Sequence, residues 1–396
     1  MMKCIKNLQS YKKIILCVQF FNKILMLMFN RFFKIFVFLL VMRVMVVEAA
    51  NVAVIAPKEG PMAKYGLELI SGVQTAVDMV NEEGGINGEK INLIAIDDRC
   101  EDTFAVSAAQ MMSLNSSAND KINMVIGPYC NNMFYDIADI YSKGKIIRFV
   151  PMPLNAKQYN FYARGMIKLM GRFSDEAETF FDFYKNKMIT NKLAMVYDST
   201  MPETTETAFE LQQLFRENNI SNLTLFNLAD YNKNFSQMAQ EILLNNQIVY
   251  ILGDYEKTAR LVQRLQEEKE DVVVFVDEYL ATEHLFDELG NFAEGIYVIT
   301  LKDLKNNPEF TEELVTLRLK GKEPKGLGVY GYVMFRLWED MAKQAKSVEF
   351  DKIINIQKKK TFNLPWGNID WQRNIVESNN GYNIYQIKNG EYMQVN

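Results

Sequence analysis

The sequence predicts an α/β protein built as two successive lobes, each a mainly parallel sheet covered by helices, with a multi-strand hinge between them. Three observations carry that prediction. Short apolar runs alternate with helix-period segments, which is the pattern of parallel strands joined by crossover helices. The same series starts again after residue 171. And no Gly/Ser-rich or Pro-rich linker separates the two series, so the chain is expected to cross between the lobes more than once. At 396 residues, with 48% hydrophobic and 23% charged residues, the chain is long enough and apolar enough for two cores.

At the amino terminus, Ile35–Val47 form an apolar block behind Arg31 and Lys34, followed by the small residues Ala49 and Ala50. This reads as a secretory signal peptide over residues 1–49. Met28 is a natural start, which would make residues 1–27 a mis-assigned extension. The competing reading is a membrane anchor, but Arg43 leaves the uninterrupted part short of the roughly 20 residues that span a bilayer. Cleavage would remove eight basic residues and one acidic one, leaving 36 basic against 48 acidic and a formal charge of −12. That charge offers no attraction to nucleic acid or anionic lipid. Neither early cysteine follows the small residues of a lipid-attachment motif.

The first strand, Val52–Ala56, runs into Pro57–Gly66, a Gly/Pro-punctuated loop that opens a helix. Leu69, Ile70, Val73, Ala76, Val77 and Val80 recur at helical spacing as a buried stripe. Gly84-Gly85-Ile86-Asn87-Gly88 stops that helix and turns into the second strand, Ile91–Ile96. It is not a phosphate loop, since the spacing is wrong and it enters a strand. A helix near Phe104–Leu114, a strand at Ile122–Ile126, a helix near Met133–Tyr141 and a strand at Ile146–Val150 come next, then an apolar run near Met166–Met170. The second series has helices near Glu176–Tyr184, Glu203–Arg216 and Glu256–Gln266. Its strands are expected at Lys192–Tyr197, Leu223–Phe226, Ile248–Leu252, Val272–Val276 and Gly295–Ile299. Helical patterns dominate from Thr311 to Gln357, and short strands near Tyr382–Gln386 and Tyr392–Val395 end the chain. The lobes are expected at 50–171 with 302–380, and at 172–301 with 381–396.

The unusual residues sit just after the apolar runs, at the carboxyl edge where open α/β sheets bind ligands. Two cysteines remain after cleavage, Cys100 and Cys130, and in an exported chain they are expected to be bridged. Such a loop would contribute roughly 3.5 kcal/mol on the chain-entropy model. A thiolate nucleophile or a metal pair is the competing reading, weakened by the lack of a third thiol and by a single histidine, His284. That histidine lies in a helical segment where a surface or packing role suits it better than catalysis. Asp97 and Asp98 are adjacent at a strand end and so point in opposite directions, which excludes a carboxylate dyad; they are expected to cap the next helix or bind Arg99. No nucleophile–base pair, metal set or phosphate loop is present, so the sequence implies neither an enzyme nor a cofactor.

An ordered set of motifs carries a resemblance: Val52-Ala53-Val54-Ile55-Ala56, Gly60-Pro61-Met62-Ala63-Lys64-Tyr65-Gly66, Gly84-Gly85-Ile86-Asn87-Gly88, Asp97-Asp98-Arg99-Cys100 and Val125-Ile126-Gly127-Pro128-Tyr129-Cys130. Ser174-Asp175, Phe275-Val276-Asp277-Glu278 and Phe292-Ala293-Glu294-Gly295 continue it. From Asn51 onward the chain resembles the leucine/isoleucine/valine-binding proteins, the amino-acid branch of type I periplasmic binding proteins. The resemblance implies Rossmann-like lobes closing on a small-molecule ligand, a disulfide between Cys100 and Cys130, and an ABC-importer membrane permease as partner. It implies a monomer located in the periplasm, with no nucleic-acid partner. The ligand would be an amino acid or a related amine or amide; a non-transport periplasmic sensor of the same fold is the alternative.

By position, the resemblance implies that Glu278 holds the ligand's ammonium and that Tyr65 helps enclose it. Asn131 and the stretch Met152–Leu154 would hold its carboxylate. The pattern departs there, with Pro153 lacking an N–H and Leu154 standing where relatives carry a hydroxyl. On the residues alone, alternatives stay open. Glu278 pairs with a ligand cation or an internal one. Asp254 faces the cleft or caps the following helix; the resemblance implies that Tyr255 fills the aromatic position that contacts the ligand in relatives. Tyr65 walls the cleft or packs its own loop, while Met152 and Leu154 line the pocket or pack between lobes.

Overall fold

The computed structural model describes Met26 and residues 50–395, apart from 61, 115–119, 131–132, 232–233, 278–287, 302–307, 358–362, 365–366 and 378–381. The segment up to Glu48 is a unit of its own, with only Met26 described. The folded body is the second unit, from Ala49 onward.

The first half of the body alternates strand and helix: β1 (Ala50–Ile55), α1 (Ala63–Glu82), β2 (Ile91–Ile96), α2 (Asp102–Leu114), β3 (Ile122–Ile126), α3 (Phe134–Lys143), β4 (Ile147–Val150), α4 (Ala156–Asn160) and β5 (Met166–Lys168). The second series is α5 (Phe173–Lys187), β6 (Leu193–Tyr197), α6 (Pro202–Glu217), β7 (Leu223–Asn227), α7 (Phe235–Leu243), β8 (Ile248–Ile251), α8 (Tyr255–Glu268), β9 (Val273–Val276) and β10 (Tyr297–Leu301). Three helices come after it, α9 (Pro308–Leu319), α10 (Leu327–Ala345) and α11 (Phe350–Gln357). The chain ends in β11 (Asn363–Leu364), β12 (Gly367–Asp370), β13 (Ile375–Glu377), β14 (Tyr382–Lys388) and β15 (Glu391–Gln394).

These strands form two sheets. The first has the order β11-β12-β13-β5-β4-β3-β1-β2, the second β15-β14-β10-β9-β8-β6-β7. Within each, the strands of the alternating series pair in parallel, and antiparallel pairing is confined to the C-terminal strands. Strands 1–5 lie in one sheet, 6–10 in the other, 11–13 in the first again and 14–15 in the second. The chain therefore passes between the sheets three times. Central strands β1, β3 and β4 are buried along their whole length, while edge strands β2 and β7 are half-exposed, as the near-continuous apolar runs of the centre require.

Helix α1 buries the expected stripe at Leu69, Val73, Ala76, Val77 and Val80, while Ile70 at its margin is half-buried. Its partner is α10, and the two approach through glycine. A Cβ on Gly72 would stand 1.8 Å from the Gly328 carbonyl oxygen, and one on Gly328 would stand 2.6 Å from that of Glu68. The Glu68 carboxylate also accepts the Leu327 N–H at 3.1 Å, securing the first turn of α10. The same helix buries Tyr332, Phe335 and Trp338, side chains that each contribute roughly 1.5–3 kcal/mol or more of apolar burial.

Two details differ from the sequence expectation. The strand placed at Gly295–Ile299 runs from Tyr297 to Leu301, because Gly295 adopts φ +84° and gives its N–H to Ile387 at 2.9 Å before the ladder begins. Short β11–β13 and five-residue α4 had no periodicity to announce them. The expected His284 helix lies outside the described residues.

Candidate functional site

Ladder geometry brings the loops after β1, β2, β3 and β4 to one edge of the first sheet. After β2, Asp97 and Asp98 diverge as adjacent strand residues must. Asp97 Oδ1 accepts the N–H groups of Lys58 (3.0 Å) and Arg99 (2.9 Å), tying the first two loops together. The bond from the Lys58 N–H leads in holding its carboxyl below the usual range. Asp98 turns inward, 1% exposed, and takes the Cys100 N–H at 3.1 Å. Both therefore serve turns rather than helix caps. Cys100 and Cys130 are bonded, with Cα atoms 5.0 Å apart. Since β1 lies between β2 and β3, the bridge passes over the end of β1.

The loop after β3 is held from below. Gly127, at φ +120°, comes so close to β1 that a Cβ would meet the Ile55 carbonyl oxygen at 2.3 Å. Tyr129 gives its N–H to that same carbonyl at 3.2 Å, and its ring stacks on Tyr65 with centroids 6.0 Å apart. Beneath the loop lies Arg148 of β4, 1% exposed. Its guanidinium donates to the carbonyls of Gly127 (3.0 Å) and Phe134 (3.2 Å), the two ends of the 127–134 loop, and lies over the rings of Phe134 and Tyr141. Burial pushes its pKa down to about 10.

Asp98 Oδ2 and the Tyr141 hydroxyl are also buried, each with no hydrogen-bond partner among the described residues. Burial pushes the Asp98 carboxyl up to about 6. The sign follows from linkage. The folded state keeps this proton to a higher pH than the unfolded chain, so the stability this group contributes is fully present below about pH 4 and is lost as pH rises through 4 to 6. The loss is on the order of 2–3 kcal/mol. Asp98→Asn keeps the acceptor for Cys100 and removes the titration. It is expected to flatten the stability profile between pH 4 and 7, as read by urea midpoints across that range.

After β4 the chain runs Pro151-Met152-Pro153-Leu154-Asn155. Leu154 gives its N–H to the Gly171 carbonyl at 3.1 Å and accepts from Phe173 at 3.2 Å. Its side chain is 0% exposed among Phe134, Val150, Tyr159 and Met166. Asn155 caps α4 in a reciprocal box with Gln158.

The second sheet's carboxyl edge is rich in acids. Asp198, 1% exposed, pairs with the Lys257 ammonium at 2.6 Å and takes the Thr200 N–H and hydroxyl. Asp254 caps α8 through the Lys257 N–H at 3.0 Å and pairs with its ammonium at 2.9 Å. Asp277, at the end of β9, is 2% exposed. On α6, Glu206 is half-buried, and loss of water pushes its carboxyl up, with the Asn155 side chain of the loop after β4 acting the other way.

Of the residues expected at a site, Tyr65 is buried and stacked on Tyr129. Met152 is half-buried against the cluster that holds Leu154, and Asp254 has its carboxylate committed to α8 and Lys257. Tyr255 is the first residue of α8. Asn131 and Glu278 lie outside the described residues. Arg148 escaped the sequence reading, although a lone arginine within Ile146-Ile147-Arg148-Phe149-Val150 was the available signal. Lys257 escaped too, hidden among the ordinary charges of an amphipathic helix. Among the described residues, no group of three His, Cys, Asp or Glu side chains is placed to hold a metal.

A family profile described as periplasmic binding protein matches residues 49–391. The chain belongs to the periplasmic binding protein family. Similar proteins include an amino acid binding protein of Pseudomonas aeruginosa, 24% identical over 285 residues, spanning 71% of this chain and 75% of that one. A Leu/Ile/Val-binding protein homolog of Brucella melitensis is 24% identical over 340 residues, 84% of this chain and 89% of the other. Among solved structures, a branched-chain amino acid transporter substrate binding protein from Streptococcus pneumoniae, in complex with isoleucine, superposes with a TM-score of 0.72. It is 18% identical and covers 88% of this chain and 99% of its own. This periplasmic binding protein thus shares the fold of the leucine/isoleucine/valine-binding branch, and its family is one of binders, not enzymes.

Proposed function

We propose that this protein captures a small solute, an amino acid or a related amine or amide, and delivers it to the membrane permease of an ABC importer. In this reading residues 50–171 with 302–380 form one lobe and 172–301 with 381–396 the other. The three passages between sheets act as the hinge, and the ligand lies between the two carboxyl edges. Tyr65, Met152 and Leu154 belong to the first wall, with Asn131. Asp254, Tyr255 and Glu278 belong to the second, and Glu278 carries the charge opposite a ligand ammonium. The exported form begins after a cleaved signal peptide at residues 1–49 and works as a monomer in the periplasm.

The observation that carries the reading is that one chain passes three times between two mainly parallel sheets, the connection a hinge between two lobes needs. A ligand closes such a molecule only to the extent that it binds the closed form better than the open one. Calorimetric titration of the purified protein with amino acids, amino-acid amides and small amines is expected to give saturable heat and a raised thermal midpoint with at least one of them. No heat and no thermal shift across the panel would remove the proposal.

A further inference from the structure

We propose that Arg172 is a positioning residue for the ligand wall: through the Tyr159 ring it fastens the segment 151–161, which carries Met152 and Leu154, to the first passage between the sheets. This rests on the solute-binding reading and adds the route by which a contact with the solute reaches the hinge.

The first ground is what the segment is bonded to. It leaves β4 at Pro151 and rejoins the first sheet at β5. On the way, Leu154 forms an isolated parallel bridge with Arg172. Its N–H goes to the Gly171 carbonyl at 3.1 Å, and its carbonyl takes the Phe173 N–H at 3.2 Å. Residues 171–173 are the passage from β5 into α5. On the lobe division proposed above, residue 172 opens the second lobe, so a residue of the first wall is hydrogen-bonded across that boundary.

The second ground is how side chains complete the attachment. Tyr159 of α4 is buried, with the Arg172 guanidinium and the Lys168 ammonium each 5.7 Å from its ring centroid. Buried Lys168 also donates to the carbonyls of Tyr159 and Phe161, the latter at 2.6 Å. Asp175 aims Arg172 at the ring, its carboxylate accepting the guanidinium Nε–H at 2.9 Å and the backbone N–H at 2.8 Å. Since Asp175 lies in the first turn of α5, the start of that helix holds the Tyr159 ring. The reciprocal cap of Asn155 and Gln158 makes the turn between them one piece. At the far end, Phe161 meets the rings of Phe134 and Tyr135 edge-on, with centroids 5.9 and 5.0 Å away. The segment is thus fixed to α3 at one end and to the passage at the other. A solute seated on this wall bears on the hinge through Leu154 and Arg172.

The test compares Arg172→Leu, Tyr159→Leu and the double variant, with Tyr159→Phe as the conservative replacement. The amides of Leu154, Gln158, Tyr159 and Phe161 all have acceptors. Each is expected to exchange about 10-fold faster in the single variants. The double variant should be no faster than Tyr159→Leu, because the two side chains act as one contact. Tyr159→Phe keeps the ring face and should restore the parent's rates. A role confined to capping α5 would instead speed the amides of Ala177 and Glu178 and leave 154–161 alone. Calorimetry adds a second readout, with L-isoleucine as probe and L-isoleucinamide in its place should isoleucine give no heat. Affinity is expected to fall about 10-fold in Arg172→Leu, since a loosened wall must be ordered on binding, with the thermal midpoint within about 2 °C of the parent's. If that midpoint falls further, Arg172→Lys takes its place, keeping a charge for Asp175 without the flat face, and should loosen the same four amides. Exchange there equal to the parent's, or raised with affinity unmoved, overturns the inference while leaving the solute-binding reading in place. If neither probe binds the parent, the exchange comparison decides the inference alone, and the solute-binding reading stands or falls on the wider panel.

Discussion

Gly72→Ala is expected to lower stability by about 3 kcal/mol or more, the upper end of overpacking penalties. Alanine in place of an interior helical glycine ordinarily gains about 1 kcal/mol of helix propensity, so the sign itself is diagnostic. The new methyl would stand 1.8 Å from the Gly328 carbonyl oxygen. That atom is backbone, held in a helix, and cannot rotate away. Relief requires α1 and α10 to separate, which would disturb the buried face carrying Leu69, Val73 and Tyr332 and the bond from Leu327 to Glu68. Gly328→Ala meets the reciprocal obstacle at Glu68 and should behave alike. Ser71→Ala, one residue away on the exposed side, should change stability by less than about 0.5 kcal/mol. Urea midpoints for the three variants decide the matter; a Gly72→Ala protein as stable as the parent would mean that the helices do not touch here.

Arg148→Met is expected to cost about 2–3 kcal/mol and to loosen one loop selectively. The substitution keeps the length and apolar stem of the side chain but removes the donors to the Gly127 and Phe134 carbonyls. Two buried acceptors lose a partner at about 1–3 kcal/mol each. Part of that is returned, because the guanidinium no longer has to be held away from water. Hydrogen exchange separates this from a general weakening. Amides between Gly127 and Phe134 should exchange faster, while those of α10 and the second sheet keep their protection. Arg148→Lys retains the charge without the planar fork that spans two carbonyls and should fall between. Uniform loss of protection across the chain would show that Arg148 supports the core rather than the loop.

How much of this was legible in the sequence depended on periodicity. The parallel strands of both sheets announced themselves as apolar runs such as Ile122–Ile126, since strands buried on both faces have no polar side to show. The α1 stripe was equally plain. The strands β11–β13 were not, because segments of two to four residues lie below the length at which alternation can be read. At the candidate site, the cysteine pair and the turn-forming aspartates could be placed from their position after the strands. Leu154 could not: its fate was decided by the Gly171 carbonyl and the Tyr159 side chain, contacts that no local pattern encodes. Asp254 shows the limit from the other side. Its position before a helix allowed both a cap and a ligand contact, and Lys257, which answers its charge, also answers Asp198 from another strand.

The exchange of strands between the two sheets has a consequence for how the molecule comes into being. The first sheet cannot be finished until its C-terminal strand β13 arrives beside β5, and the ion pair of Lys145 with Asp351 joins residues 206 positions apart. Strands β1–β5 and β6–β10 pair among themselves as they emerge, while β5 and β10 wait for β13 and β14 to cover their outer edges. Long-range pairing of this kind folds slowly. A cut or truncation ahead of β13 would therefore leave β5 as an open edge, the kind of unpaired strand that recruits another chain.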